Sequence, residues 1–307
     1  MKKYILKILL FFVIVACVDI VYGFVCKYMT DNTHSGGTAR MVGLLKKNKY
    51  DMMIMGSSRC VCHYDDKMMS DSLGLNIVNA GQKGNGIVLM YSNYHIIPQE
   101  HKPQVLIYDL EPSFDVIEYK GDDHNRRYLN PLKTFYDEPG IKNVFSSIDP
   151  REPVKMNSQL YRYNSKLFTL IQNFLIHEKI RYSCYLPTDK EYRGTIKKKP
   201  EEEISCDSLK LFYFEQLIKE TQTDNVEMIV VASPKYGATS KREIMPIVEL
   251  CRKYDVPFWD YYYDMHDTIW FCDDMHLNYY GSQEFTKIVI QRIKDENLIN
   301  KNENTIK

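Results

Sequence analysis

Apolar residues follow two different rhythms along this chain, and the change of rhythm marks out its elements. Over residues 4–26 they run almost unbroken, interrupted mainly by Lys7 and Asp19, in a first segment that reads MKKYILKILLFFVIVACVDIVYGFVCKY. The stretch 8–18 alone has the length of a signal sequence, but apolar character resumes over 20–25 and brings the run to roughly 20 residues, enough to cross a bilayer. An uncleaved anchor fits this pattern best. Lys2, Lys3 and Lys7 then stay on the cytoplasmic side and the rest of the chain lies outside the cytoplasm. Two alternatives stand beside it. Ile14-Val15-Ala16-Cys17 resembles a lipobox with Cys17 as the lipidated residue, although the apolar VDIVYGFV that follows is unlike a polar lipoprotein tether; the other is a buried core helix.

Beyond residue 50 the apolar runs shorten to four or five residues and alternate with segments of helical spacing. The runs 52–55, 105–108 and 228–232 are short and continuously apolar, 75–78 and 257–261 are mainly so with Asn76 and Asp260 inside them, and all are bounded by turn-forming or polar residues, as strands of a parallel sheet are. Helices are expected at 39–48, 87–97, 207–222 and 241–254, and a closing helix carries Phe285, Ile288, Val289 and Ile293 on one side. After the first strand the helical pattern is ragged. Five short strands alternating with helices predict an α/β fold with a doubly wound five-stranded parallel sheet.

One stretch breaks the alternation. Well over a hundred residues separate the third strand from the fourth, where a plain crossover needs one helix. The intervening chain is rich in Tyr, Asn, Lys and Asp, with turn signals at Asn130-Pro131, Pro139-Gly140 and Asp149-Pro150 and one amphipathic helix expected near 159–176. The organisation that follows is an anchor at 1–28, a tether with a lead-in helix at 29–50, an α/β domain in two parts at 51–112 and 204–299, an inserted, mainly helical segment at 113–203, and a polar tail at 300–307. The charged KKKPEEE run at 197–203 is a solvated boundary. The insert's aromatics, including Tyr128, Phe135, Tyr136, Tyr161 and Tyr163, form its own small core in the plainer reading and stack on sugar rings in the sharper one.

Composition narrows the function classes. With 307 residues and 44% hydrophobic content the chain can bury one full core. Lys plus Arg and Asp plus Glu number 40 each, so no global field favours nucleic acid. Eight cysteines are present, and the six beyond the apolar segment, Cys60, Cys62, Cys184, Cys206, Cys251 and Cys272, show no CxxC and no metal-like spacing. A bridge between Cys60 and Cys272 is one expectation and small buried thiols the other. No metal or organic cofactor is implied.

Candidate chemistry gathers at the carboxyl ends of the strands, where open α/β sheets place their ligands. The first strand runs into Gly56-Ser57-Ser58-Arg59. A serine hydroxyl needs a neighbouring base to become a nucleophile, and Asp273 and His276, three residues apart, suit one turn in which the carboxylate holds one imidazole nitrogen and the other faces outward. Ser58 supplies the hydroxyl, and backbone amides of Ser58 and near Gly84 supply oxyanion donors. Arg59 is a candidate to orient Glu111 or an anionic substrate group, with a plain surface ion pair as the alternative. His63 lies close enough in sequence to approach Ser58, with a half-buried turn histidine as the alternative.

These residues resemble the blocks of the SGNH, or GDSL-type, hydrolases. Gly56-Ser57-Ser58 matches the first block with Ser57 in place of Asp, Gly84 in NAGQKG matches the second, and Asp273 and His276 with Leu277, Asn278 and Gly281 match the last. The third block, usually G-x-N-D, is replaced by Asp109-Leu110-Glu111-Pro112, so Asn85 is a candidate substitute donor and the acidic side chains are expected to point elsewhere. The resemblance implies a three-layer flavodoxin-like fold and a serine esterase or acyltransferase with Ser58, His276 and Asp273 as its triad. Its style is similar to that of membrane-anchored proteins that move acyl groups on envelope polymers, which implies an acylated saccharide or envelope polymer as substrate, a membrane acyl-transfer partner as a further candidate, and no nucleic acid. A catalytically silent scaffold that binds a polymer or a membrane partner is the alternative.

Overall fold

The structure is a computed structural model, and it describes residues 1–118, 125–164, 166–194, 204–238 and 241–298. The 197–203 charge run and the polar tail lie outside these residues. In chain order, helix α1 spans Lys2–Asp31 and α2 Gly36–Val42, the latter closing in a wide π turn over Gly43–Lys47. Strand β1 (Met52–Gly56) is followed by α3 (Ser58–His63) and α4 (Asp66–Leu73), then β2 (Ile77–Asn79), α5 (Ile87–Ile96), β3 (Val105–Asp109) and α6 (Pro112–Asp115). Five short helices follow, α7 (Leu129–Leu132), α8 (Ile141–Ile148), α9 (Glu152–Lys155), α10 (Gln159–Tyr163) and α11 (Leu167–Leu175). The chain ends with α12 (Ser208–Thr223), β4 (Glu227–Ala232), α13 (Met245–Lys253), β5 (Phe258–Asp260) and α14 (Tyr279–Asp295).

The chain divides into two compact units, and the larger, residues 48–120 and 182–307, is the α/β unit. Its sheet is five-stranded and parallel throughout, in the order β2-β1-β3-β4-β5. Side chains alternate between faces at every residue of a strand. Met52 and Ile54 of β1, Val105 and Ile107 of β3, and Ile229 and Val231 of β4 therefore meet Phe285, Val289 and Ile293 of α14 in one core. The other face is covered by α5 and α12, which pack on each other and on β1 and β4. This is the three-layer, doubly wound arrangement the strand pattern predicts. The chain leaves β1 for β2 on one side and returns to β3 on the other, so the strand order reverses between β1 and β3, the switch point beside which open sheets of this kind place their ligands.

The smaller unit comprises residues 1–47 and 121–181. The sequence divides the chain differently, at 29, 51, 113 and 204. Cys26 and Met29 of α1 form a core with Tyr163 and Leu170, and Tyr22, Leu167 and Phe174 pack against it. Tyr128, Phe135, Tyr136 and Tyr163 are buried and Tyr161 is half-buried, donating its hydroxyl to Glu152 at 3.0 Å. Arg162, also buried, donates to the Lys133 carbonyl at 2.8 Å and to Asp137 at 2.7 Å.

Several boundaries differ from the sequence pattern for local reasons. The helix expected over 159–176 is broken into α10 and α11 at Asn164 and Lys166, where Lys166 N–H donates to the Tyr163 carbonyl at 2.9 Å and its Nζ to the Asn130 carbonyl at 2.8 Å. The polar tether contracts, because α1 continues to Asp31 and α2 begins at Gly36, with His34 and Ser35 N–H groups donating to the Asn173 carbonyl at 2.9 and 3.1 Å. The ragged stretch after β1 is two regular helices, α3 and α4, the second capped by Asp65 through Met68 N–H at 3.0 Å. Helix α13 starts late, at Met245, with proline at its opening turn. All eight cysteines are free thiols, and Cys60 sits against Asn79 with its Sγ 3.4 Å from Oδ1.

Gly56, the last residue of β1, has φ of +154°, and a Cβ there would lie 2.7 Å from the Asp109 carbonyl oxygen of β3. Gly56→Ala should therefore destabilise the protein by about 2 kcal/mol or more, from backbone strain and overpacking together. Urea unfolding of wild type and variant checks this, and an unchanged midpoint would contradict it.

Candidate active site

The turn after β1 is shaped by serine chemistry before any catalysis is considered. Ser57 caps α3, its hydroxyl accepting from Arg59 N–H at 3.5 Å, and Ser58 opens the helix with its side chain half-buried. Beside it, Gln82 N–H donates to the Gly56 carbonyl at 2.9 Å. That bond ties the glycine-rich turn after β2 to the end of β1. Gly84 takes a left-handed φ of +70° in this turn, and the Asn85 side-chain amide donates to the Lys83 carbonyl at 3.1 Å.

Opposite Ser58 stands the loop that precedes α14. Phe271 and Leu277 form an antiparallel bridge, and Cys272 N–H donates to the His276 carbonyl at 2.9 Å, closing a tight loop around residues 272–277. Asn278 anchors its exit, donating to the Ile269 carbonyl at 2.6 Å and accepting from Gly281 N–H at 2.9 Å. Gly281 is required by close approach, since a Cβ there would lie 2.1 Å from the Trp270 carbonyl oxygen.

This loop brings the three expected residues into line. His276 Nε2 lies 2.7 Å from Ser58 Oγ, and His276 Nδ1 lies 2.9 Å from both carboxylate oxygens of Asp273. Asp273 Oδ1 also accepts from the Met275 and His276 N–H groups at 2.8 Å each. Burial raises the Asp273 carboxyl, but the His276 side chain and these backbone donors outweigh it and hold the carboxyl below its ordinary range. A carboxylate facing Nδ1 keeps the proton on that nitrogen, which leaves the Nε2 lone pair directed at the serine.

Beneath this line lies a buried polar cluster. Arg59 is fully buried, with Nη1 3.1 Å from Glu111 Oε2 and Nη2 bonded to the Ser233 carbonyl, to Ser233 Oγ at 3.0 Å and to the Pro234 carbonyl at 3.4 Å. Its guanidinium also lies over the Tyr262 ring, 5.5 Å from the centroid. Burial opposes its charge, but Glu111 and Asp109 more than compensate and raise its pKa. Asp109 turns the other way, accepting from the Tyr64 hydroxyl at 2.8 Å, and burial pushes its carboxyl up to about 6. Both acidic groups after β3 are thus directed to Arg59 and Tyr64. Asp115 is pushed by burial up to about 7 while holding the Glu111 and Ile87 N–H groups, at 2.7 and 2.8 Å.

His63 belongs to the same cluster. It is fully buried, its Nδ1 2.9 Å from Ser233 Oγ and its Nε2 accepting from Leu277 N–H at 3.0 Å. Accepting at Nε2 puts the proton on Nδ1. Burial, then the charges of Arg59 and His276, push its pKa well below the ordinary 6.5. His63 therefore reaches the residue next to His276 rather than Ser58 itself. Among the described residues, no group of three or more His, Cys, Asp or Glu side chains is arranged to hold a metal ion.

The chain matches no model of a known protein family, and no curated protein matches it. Solved structures similar to it include an assigned acylhydrolase from Bacteroides fragilis, at 10% identity and a TM-score of 0.42 over 85% of this chain and 94% of the other. Another is an acetyl xylan esterase from the rumen bacterium Butyrivibrio proteoclasticus, at 11% identity and a TM-score of 0.39 over 82% of this chain and 64% of the other. Identities this low leave the chemistry to be read from the side chains themselves.

Three contributors to this region carry no motif. Ser233 is visible in sequence only as a strand end, yet it accepts from Arg59 and faces His63. Tyr64 and Tyr262 are ordinary aromatics until the fold brings them to Asp109 and Arg59. Residues 182–194 form an extended clasp: Cys184 N–H donates to Asn79 O at 2.8 Å and Leu186 N–H to Val61 O at 2.9 Å, while Thr188 O accepts from Tyr279 N–H at 2.8 Å and Tyr192 N–H donates to Phe271 O at 2.8 Å. The clasp links α3 to the loop that carries His276. The signal that could have hinted at the cluster is Arg59 itself, a charge on a helix whose other residues are mostly apolar.

Removing one partner of a buried ion pair leaves the other uncompensated. Glu111→Leu should cost about 3–5 kcal/mol, and Arg59→Met/Glu111→Leu should cost less than Glu111→Leu alone; urea unfolding of the three proteins decides it, and equal or greater loss in the double variant would contradict it. The sign for His63 follows from its depressed pKa. Above 6.5 it is neutral in both states and its contribution is intact; as pH falls below 6.5 the unfolded chain takes up the proton first and stability declines. The loss approaches 1.4 kcal/mol per pH unit, roughly one proton's worth. Wild type should therefore lose stability relative to His63→Gln between pH 6.5 and 5, measured from unfolding midpoints, and parallel profiles would contradict the assignment.

Proposed function

We propose that this protein is an SGNH-type serine esterase or O-acyltransferase, anchored in the membrane with its α/β unit outside the cytoplasm, acting on O-acyl groups of a glycan or cell-envelope polymer. The observation that carries the chemistry is the continuous line Ser58 Oγ, His276 Nε2, His276 Nδ1 and Asp273 at hydrogen-bond distances of 2.7 and 2.9 Å. In this reading Ser58 Oγ attacks the acyl carbonyl while His276 Nε2 takes its proton, and Asp273 stabilises the imidazolium that forms. His276 returns the proton to the departing alkoxide as the acyl group is left on Ser58. A second attack, by water or by a sugar hydroxyl deprotonated by His276, releases the acid or the new ester. The Ser58 and Gly84 N–H groups are assigned as oxyanion donors. Asn85 is left aside, since its amide is engaged by Lys83.

The polymer substrate and the location rest on other ground. One helix, Lys2–Asp31, is long and apolar enough to cross a membrane and lies near the N-terminus, and the resemblance to anchored envelope proteins supplies the substrate class. A membrane acyl-transfer partner fits the transferase form of the reading.

A fluorophosphonate probe on the full-length protein in detergent tests the nucleophile. Wild type should label, Ser57→Ala should label comparably, and Ser58→Ala should fall by about 10³-fold or to background. Labelling that survives in Ser58→Ala would overturn the assignment, and a folded wild type that does not label would favour a silent polymer-binding scaffold. Product analysis with and without a glycan acceptor separates transfer from hydrolysis.

A further inference from the structure

Helix α1 carries a carboxylate within its apolar run, and that carboxylate is fully engaged. Asp19 accepts from Ser158 Oγ at 3.1 Å, from Gln159 N–H at 2.9 Å and from Leu160 N–H at 2.8 Å, at the start of α10. At 1.5 Å per residue Asp19 lies about 22 Å along the helix from Tyr4, short of the ~30 Å of a hydrocarbon core. A carboxylate at that depth is expensive unless polar groups come to it. The groups that come are those of α10, so an α1 that spans a bilayer brings the first turn of α10 to the bilayer's outer boundary.

The surface around this contact is apolar. On α1, Cys26 and Met29 are buried against the helices of the smaller unit, while Ile20, Val21, Phe24, Val25 and Tyr28 remain exposed. Helix α11 is apolar on two faces. Leu167, Leu170 and Phe174 pack inward, whereas Phe168, Ile171 and Leu175, at the same i, i+3, i+7 spacing, point out, Phe168 84% and Leu175 67% exposed. A helix apolar on both faces belongs in a protein core or in lipid, and exposed patches of this kind mark interaction surfaces. The ring of Tyr28, exposed on α1, lies 5.9 Å from that of Phe174, joining the two helices' surfaces. Residues 167–176, LFTLIQNFLI, carry no charge, and His177, Glu178 and Lys179 follow at once.

We infer that α10 and α11 form a membrane-seated platform, with Leu160, Phe168, Ile171 and Leu175 buried in the acyl and headgroup boundary of the bilayer that holds α1. The occupant is lipid because the patch is continuous with the apolar run of α1. A bilayer that accepts α1 as far as Asp19 meets α10 without any further partner, and the charges after Ile176 suit the headgroup layer. This rests on the anchor proposed above.

Tryptophan variants of the full-length protein, reconstituted into phosphatidylcholine/phosphatidylglycerol vesicles with or without brominated acyl chains, test it. Exposed positions accept the substitution without disturbing a core. Phe12→Trp in the anchor and Phe168→Trp on the platform should both show added emission quenched by the brominated lipid to a similar degree, whereas Asn143→Trp should show none beyond the wild-type background of Trp259 and Trp270. Quenching of Phe12→Trp without quenching of Phe168→Trp would overturn the platform and leave the anchor standing; a Phe168→Trp emission shielded from lipid by a second copy, seen as a cross-linked dimer, would do the same. No quenching of Phe12→Trp would remove the anchor and the platform together.

Discussion

A guanidinium with no access to water governs the geometry of this site. Arg59 follows Ser58 directly, and its side chain runs into the sheet edge to meet Glu111 after β3, Ser233 after β4 and Tyr262 after β5. One side chain therefore cross-ties the ends of three strands to the turn that carries the serine. The desolvation cost of such a pair roughly cancels its attraction, so it adds little net stability over an apolar pair of the same shape, while loss of one partner alone is costly. With Arg59 committed inward at the first turn of α3, the neighbouring Ser58, about 100° away around the helix, faces the loop before α14.

The histidine side of the site hangs from the same cluster. His63 receives Leu277 N–H on one nitrogen and meets Ser233 through the other, so the strand-end network and the His276 loop share a single imidazole. Asp115 does similar work at the start of α5, joining the Glu111 and Ile87 amides. The Ser58–His276 distance is thus set by groups that do not touch Ser58 Oγ or His276 Nε2, which is how a site on loops acquires the precision of one built on strands.

What was legible in the sequence was local. The apolar strand before Gly56, the serine after it and the three-residue step from Asp273 to His276 are short-range patterns, and the alternation of strands with helices gives the doubly wound sheet. What escaped is non-local. Glu111, 52 residues from Arg59, is one of the readings the sequence leaves open for that arginine, but no pattern links the arginine to Ser233, 174 residues away, or reveals that the fold buries it. The stretch 159–176 looks like one helix because its apolar spacing persists across Asn164, although the chain breaks there to turn two faces of α11 to different surroundings. The stretch 113–203 looks like an insertion with its own core because sequence cannot reveal that Tyr163 and Leu170 pack with Cys26 and Met29 of α1.

The two ends of the insertion meet: Ile117 and Cys206 pair as an antiparallel bridge, and Glu118 N–H donates to Ser205 O at 2.9 Å. Such closure suggests a cassette, exchangeable between relatives by cutting at its neck. The clasp at 182–194 makes that exchange unequal, because the returning limb of the loop has become part of the enzyme-like unit, spanning from Asn79 and Val61 to Phe271 and Tyr279. A graft that respects the neck but replaces the limb would discard the backbone bonds between the serine helix and the histidine loop. Evolutionary trading of this insertion is therefore expected to vary its outbound portion freely while inheriting residues 182–194 together with the sheet.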